Sequence, residues 1–204
     1  MSDRTVHVVD DDVAVRDSIA FLLAAGRGWR VETWEDGVSF LAALPDVPPG
    51  CVLLDLHMPG LSGLEVQARL IEIGSPLPLI ILTGQAEVGL AVRAMKAGAV
   101  DFIEKPLVDS ELFDALEAGF RRLEAPDPGR HADAISLVAR LSPRERQVLK
   151  ELLAGRQNKV IAYRLGLSPR TVELHRAHMM DRLGVRSLSA AVRLALAAGL
   201  DPAS

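Results

Sequence analysis

Residues 51–55 read Cys51-Val52-Leu53-Leu54-Asp55, four apolar residues in a row closed by a carboxylate. A strand with one wet face alternates apolar and polar side chains. A run that is apolar throughout is covered on both faces, the mark of a parallel sheet between helices. Three further runs have the same form. Val6-His7-Val8-Val9 precedes Asp10-Asp11-Asp12, Leu79-Ile80-Ile81-Leu82 precedes Thr83-Gly84, and Val100-Asp101-Phe102-Ile103 precedes Glu104-Lys105-Pro106. Trp29 to Thr33 is a weaker fifth candidate. Val15, Ile19, Leu22 and Leu23 mark a helix after the first run, and helical patterns separate the others at 36–44, 62–73, 87–97 and 109–124. With right-handed crossovers, residues 1–124 become a doubly wound βα domain.

Ala125-Pro126-Asp127-Pro128-Gly129 breaks the last of these helices and opens a linker over 125–140, extended by a short helical pattern at 131–140. Residues 141–204 read as helix alone, so the fold class is α/β plus all-α. In Ser142-Pro143-Arg144-Glu145 the serine caps, proline takes the first helical position and glutamate can close a capping box. That helix should run to Ala154 and stop at Gly155. Helix 158–165 ends at Gly166. Ser168-Pro169 starts a helix reaching Leu183, and 187–198 is the fourth.

The 204 residues are 49% hydrophobic and 25% charged, too apolar for a disordered chain. A single cysteine excludes an intramolecular disulfide framework and a cysteine-rich zinc site. No apolar run has the length of a membrane span, and residues 1–12 are too acidic for a signal peptide, so a cytoplasmic protein with no membrane partner and a reduced Cys51 is expected. Residues 1–120 carry 8 Lys/Arg against 19 Asp/Glu, a net of −11. Residues 141–204 carry 11 against 5, a net of +6. An acidic first part and a basic second part suggest separate tasks, the second being nucleic-acid binding.

Ligands of a doubly wound sheet bind outside the carboxyl ends of its strands. The four strong strands end in Asp10 and Asp11, in Asp55, in Thr83 and in Lys105. Crowded carboxylates need a hard cation, and Mg²⁺ takes oxygen ligands while keeping waters. One carboxylate can then act as a nucleophile toward phosphorus, with a hydroxyl and an ammonium holding the phosphoryl oxygens.

The stretches VVDDD (8–12), LLDLHMPGLSG (53–63), ILTG (81–84) and DFIEKP (101–106) resemble the receiver domain of two-component response regulators. The resemblance implies a flavodoxin-like (βα)5 fold with strand order 2-1-3-4-5. It makes Asp55 the phosphorylated residue. Asp11, Asp55 and the backbone carbonyl of His57 would bind Mg²⁺, with Asp10 reaching it through water. Thr83 and Lys105 would contact the phosphoryl group, Phe102 falls on the switch aromatic, and the Lys105-Pro106 bond would be cis. A rival reading is a phosphatase working through an aspartyl-phosphate. Such enzymes usually carry a second acid two residues after the nucleophile, where this chain has His57. The expectation is a switch with at most slow self-dephosphorylation, not an enzyme.

In the basic part, Asn158–Leu165, the turn Gly166-Leu167-Ser168 and Pro169–Leu183 have the lengths of a helix-turn-helix, whose second helix enters the major groove. Val172, Met179 and Leu183 should pack inward. Arg170, Glu173, Leu174, Ala177 and Asp181 form the opposite stripe. An outward Leu174 beside Ala177 suits a thymine methyl, and Glu173 suits a cytosine amine. Arg170 and Thr171 suit phosphates, as do Asn158 and Lys159, and Arg176 completes the DNA-binding candidates. LSPRERQVLKELLAG (141–155) and NKVIAYRLGLSPRTVELHRAHMMDRLGV (158–185) resemble the LuxR-type DNA-binding domain.

With MKAGAVDFIEKP (95–106), the whole chain is similar to response regulators of the FixJ/NarL type. That resemblance implies phosphorylation by a sensor histidine kinase, then dimerisation through the face of helix 87–97 and strand 100–104, where Val92, Lys96 and Asp101 lie. It also implies binding to a palindromic site in double-stranded DNA, contact with RNA polymerase and activation of transcription. A DNA-binding regulator indifferent to phosphate is the remaining alternative.

Overall fold

The computed structural model describes residues 4–84, 88–124 and 130–202. Residues 125–129 of the expected linker and position 87 of the expected helix 87–97 lie outside them. Two compact units result. The first holds residues 1–83 and 97–126, the second residues 84–96 and 127–204.

The first unit contains β1 (Thr5–Val9), α1 (Val13–Arg27), β2 (Arg30–Trp34), α2 (Gly37–Ala43), β3 (Gly50–Asp55), α3 (Gly63–Glu72), β4 (Leu79–Thr83), β5 (Asp101–Glu104) and α5 (Asp109–Glu124). Its strands form one sheet in the order β2-β1-β3-β4-β5, all neighbours parallel. The apolar runs account for this directly. Every residue of β1, β3 and β4 is buried. Val6, Val8, Leu53, Ile80, Leu82 and Ile103 pack in one core with Ile19 and Leu23 of α1 and Leu112, Leu116 and Phe120 of α5. Burying a leucine such as Leu53 in full stabilises the fold by about 1.5–3 kcal/mol. The weaker fifth strand begins one residue later than expected, because Trp29 leaves it to pack edge-on against Phe113 and Phe120, with ring centroids 6.0 and 5.2 Å away.

Helix α1 is capped by Asp12, whose carboxylate accepts the Ala14 N–H at 2.8 Å. Helix α3 starts with a full capping box of Ser62 and Glu65. These two caps fix where the chain turns away from the ends of β1 and β3.

His7, in the middle of β1, is fully buried. Its Nε2 lies 3.0 Å from the Pro48 carbonyl, and its Nδ1 lies 3.3 Å from Glu32 Oε2 but off the line of a hydrogen bond. Burial holds its pKa below the usual 6.5, against the upward pull of the Pro48 carbonyl and Glu32, with Arg30 adding to the downward side. Between the two values the unfolded chain binds the proton more readily. The stability His7 contributes is therefore present above about pH 6.5 and is lost as pH falls below it. The urea midpoint of the native chain is expected to drop more steeply between about pH 7 and pH 5 than that of His7→Leu. Parallel titration curves would show that the ring carries no such linkage.

The second unit contains α4 (Val88–Lys96), α6 (Arg130–Ala139), α7 (Pro143–Leu153), α8 (Asn158–Leu165), α9 (Pro169–Leu183) and α10 (Leu188–Ala197). Helix α4 is the crossover between β4 and β5 in chain order, yet it groups with the C-terminal helices. The two serines read as start signals both cap, Ser142 in a box with Glu145 and Ser168 on the Thr171 N–H, and Ser187 also caps, on the Ala190 N–H. Gly166 and Gly184 end α8 and α9 in the left-handed conformation, at φ +66° and +68°. Part of the stretch read as linker is α6, which packs on α10 and buries Ala134 and Val138.

Candidate functional site

The strand ends converge as the parallel register requires. Asp10 directly follows β1, Asp55 and Thr83 are the last residues of β3 and β4, and Lys105 directly follows β5. Asp10, Asp55 and Thr83 are buried, at 0%, 6% and 1% exposure. The Lys105 ammonium bridges the two acids, 2.8 Å from Asp10 Oδ2 and 2.6 Å from Asp55 Oδ1. The remaining carboxylate oxygens are also held. Asp10 Oδ1 accepts the Asp12 N–H at 3.0 Å, and Asp55 Oδ2 accepts the His57 N–H at 2.6 Å.

Burial raises the Asp55 pKa above the ordinary carboxylate value, and the charge of Asp10 adds to this against the opposing pull of Lys105 and the His57 N–H. Burial alone would lower the Lys105 pKa. Its hydrogen bonds and charge contacts with Asp10 and Asp55 outweigh that and leave it raised. The pocket thus keeps one cation pinned between two anions.

Among the described residues, no three His, Cys, Asp or Glu side chains gather as a metal cage. Mg²⁺ does not require one, since it is commonly held by one or two carboxylates plus waters and substrate oxygens. The expected ligands Asp11, Asp55 and the His57 carbonyl, with Asp10 behind a water, offer only oxygen, the hard donor that suits it. Asp11 is exposed. Phe102 is buried at 3% exposure, and the Lys105-Pro106 bond is cis.

Two contributors escape a reading confined to strand ends. Arg16, on the second turn of α1, donates from Nη1 to the Asp10 carbonyl at 2.7 Å. The only signal for it is a lone arginine six residues past Asp10. Gly63, the first residue of α3, rests on the end of β3. A Cβ there would lie 2.2 Å from the Asp55 carbonyl oxygen and 3.0 Å from the Leu56 Cα. Backbone atoms cannot rotate aside, so Gly63→Ala must push α3 off the end of β3. Overpacking of this kind costs about 1–3 kcal/mol. The variant is expected to unfold at correspondingly lower urea, and an unchanged midpoint would mean that the close approach relaxes freely.

In the second unit, α8, the turn 166–168 and α9 form the helix-turn-helix. Val172, Met179 and Leu183 are buried at 0%, 0% and 3% exposure. Arg170, Glu173, Ala177 and Asp181 are exposed, as is Leu174 at 53%. Lys159 is exposed and Asn158 half-buried. The Thr171 hydroxyl lies 2.8 Å from that of the cap Ser168. Arg176 does not join the outward stripe. Its Nη1 donates to Asn158 Oδ1 at 2.9 Å. Two buried acids on α7 brace the motif, Glu151 absent from the sequence reading and Glu145 read there only as part of a cap. Glu151 accepts Arg156 at 2.7 Å and Arg164 of α8 at 3.1 Å, and Glu145 lies 3.5 Å from Arg182 of α9.

Of the expected dimer residues, Lys96 is exposed, while Val92 and Asp101 are buried at 2% and 4% exposure. Asp101 accepts the Phe102 N–H at 2.9 Å. No helix among the described residues is long and apolar enough to cross a membrane.

The comparisons agree with this geometry. Residues 6–117 match the response regulator receiver domain, and residues 139–195 match the bacterial regulatory proteins of the luxR family. The chain is 47% identical over 197 residues to the transcriptional regulatory protein FixJ of Bradyrhizobium diazoefficiens, covering 96% of each chain. It is 46% identical over 205 residues to FixJ of Rhizobium meliloti, covering 99% of this chain and 100% of the relative. The crystal structure of full-length FixJ from B. japonicum superposes with a TM-score of 0.58 at 46% identity, over 98% of this chain and 99% of that one. The chain therefore belongs to the two-component response regulators, as a FixJ-like transcription regulator with a receiver domain and a LuxR-type DNA-binding domain.

Proposed function

We propose that this regulator is switched by phosphorylation of Asp55. The observation that carries the proposal is the Lys105 ammonium held 2.6 Å from Asp55 Oδ1 and 2.8 Å from Asp10 Oδ2. An acid kept dry beside a fixed cation is placed for attack at phosphorus. One Asp55 carboxylate oxygen forms the new O–P bond as the N–P bond of the kinase's phosphohistidine breaks, and the bonding pair returns to the imidazole. Lys105 then pairs with a phosphoryl oxygen, and the Thr83 hydroxyl donates to another. Asp11, Asp55 and the His57 carbonyl would hold Mg²⁺, with Asp10 reaching it through water, and the ion would supply neutralisation of phosphoryl charge.

The added charge of about −1.5 to −2 draws Thr83 inward, and Phe102 moves into the space it leaves. That movement reshapes the surface of α4 and β5. Two copies then pair there, Lys96 of one facing Asp101 of the other and Val92 supplying apolar contact. Since Val92 and Asp101 are buried in the resting chain, both have to be uncovered first. Exposed ion pairs contribute little, so apolar contact carries most of the association. Pairing sets two α9 helices on a palindrome, where Arg170, Thr171, Asn158 and Lys159 take phosphates and Glu173, Leu174 and Ala177 read base edges. RNA polymerase recruitment and activation of transcription follow.

The test treats the full chain with acetyl phosphate and Mg²⁺. Peptide mass spectrometry is expected to place the phosphate on Asp55, and light scattering is expected to show a donor-dependent dimer. Phosphate at another residue, or a mass that stays monomeric, contradicts the proposal.

A further inference from the structure

We infer that Arg176 is a positioning residue of the DNA-reading unit, acting through Asn158 and not on the DNA itself. The inference rests on the reading that α9 enters the groove with Glu173, Leu174 and Ala177 outward. A helix advances about 100° per residue, which puts Arg176 within about 40° of the buried stripe formed by Val172, Met179 and Leu183. The same geometry puts it about 110° from the middle of the outward stripe. Arg176 is accordingly half-buried, where Arg170 and Ala177 are exposed.

The guanidinium spends its reach on Asn158, the first residue of α8, with Nη1 donating to Oδ1 at 2.9 Å. This bond ties the two helices of the motif together at the end of α8 expected to meet the phosphates. It also orients the Asn158 amide. With Oδ1 taken by Arg176, the two Nδ2 hydrogens are what Asn158 can offer a phosphate oxygen. Rotation of that amide would present an acceptor to the phosphate and repel it. Arg176 therefore fixes both the spacing of α8 from α9 and the polarity of a phosphate contact. Its own charge, turned inward, adds no ion pair with the duplex.

Phosphate clamps and positioning residues respond differently to salt. Each protein cation bound to a phosphate adds about one to the slope of log affinity against log salt. The experiment uses the full chain treated with acetyl phosphate, a duplex that the native protein enriches from a random pool, and a scrambled duplex of equal length. Arg176→Leu is expected to weaken binding to the enriched duplex by about tenfold with the salt slope unchanged. Arg176→Gln, which keeps an N–H donor without the charge, restores most of the loss. The double variant with Asn158→Ala binds no more weakly than Asn158→Ala alone.

Equal loss on both duplexes with a slope smaller by about one, no rescue by glutamine, or additive losses would overturn the assignment. Urea unfolding of the same four proteins measures the Arg176–Asn158 coupling without DNA, and additive effects there overturn it as well. If the native chain enriches no sequence, the reading of α9 as the recognition helix fails while the unfolding cycle still decides the bond.

Discussion

Asp55→Asn is expected to abolish every response to a phosphodonor: no phosphopeptide, no donor-dependent dimer, and no donor-dependent gain in DNA affinity. The amide keeps the shape of the side chain and can still accept the His57 N–H, a 2.6 Å bond in the native chain. It is too weak a nucleophile to take a phosphoryl group. Moving a two-state switch from 1:99 to 99:1 needs about 5.5 kcal/mol of preference for the active state. All of that preference is lost with the acyl phosphate. The fold should survive the change. Burial already holds the Asp55 carboxyl above its ordinary range, so the native pocket is strained by the charge the variant removes. The variant is therefore expected to melt no lower than the native chain while remaining monomeric with donor. Donor-dependent dimers of Asp55→Asn would move the phosphorylation site elsewhere.

Lys105→Met separates the chemistry from the binding. The ammonium is the one cation within hydrogen-bond reach of both Asp10 and Asp55 among the described residues. Methionine fills a similar volume and cannot meet the developing charge on a phosphoryl oxygen. Removing one fixed donor from such a site typically costs about 10²–10³ in rate. Phosphate uptake from acetyl phosphate is expected to slow by about that factor at saturating Mg²⁺. The loss of the cation also leaves two buried carboxylates facing each other. Mg²⁺ affinity should therefore rise even as turnover falls. Parallel loss of metal affinity and rate would mean that the variant simply collapses the pocket.

The sheet and the strand-end acids are legible because burial on both faces erases alternation, and only a parallel sheet imposes that on four separate runs. Strand β2 is harder to read. It lies at the sheet edge, and the exposure along Arg30–Trp34 follows no apolar run. Helix starts are legible because serine caps act locally, within three residues. Arg16, Gly63 and Glu151 are not, since their roles depend on distances across the fold. The pairing of Arg176 with Asn158 spans 18 positions, and side-chain chemistry read one residue at a time makes both partners of DNA. The helical pattern at 131–140 is legible, but its place in the helical unit is not, because only packing on α10 makes α6 part of the bundle.

Both tryptophans, Trp29 and Trp34, belong to the first unit, and the second unit has none. The Trp34 carbonyl accepts the Asp10 N–H at 3.2 Å, and its ring stands edge-on to Phe40 with centroids 5.7 Å apart. The indole is thus wired by one peptide link to the mouth of the acidic cluster. Excited where tyrosine does not absorb, unlabelled protein is expected to report ion and donor occupancy by emission from the first unit alone, since the one tyrosine, Tyr163, lies in the second.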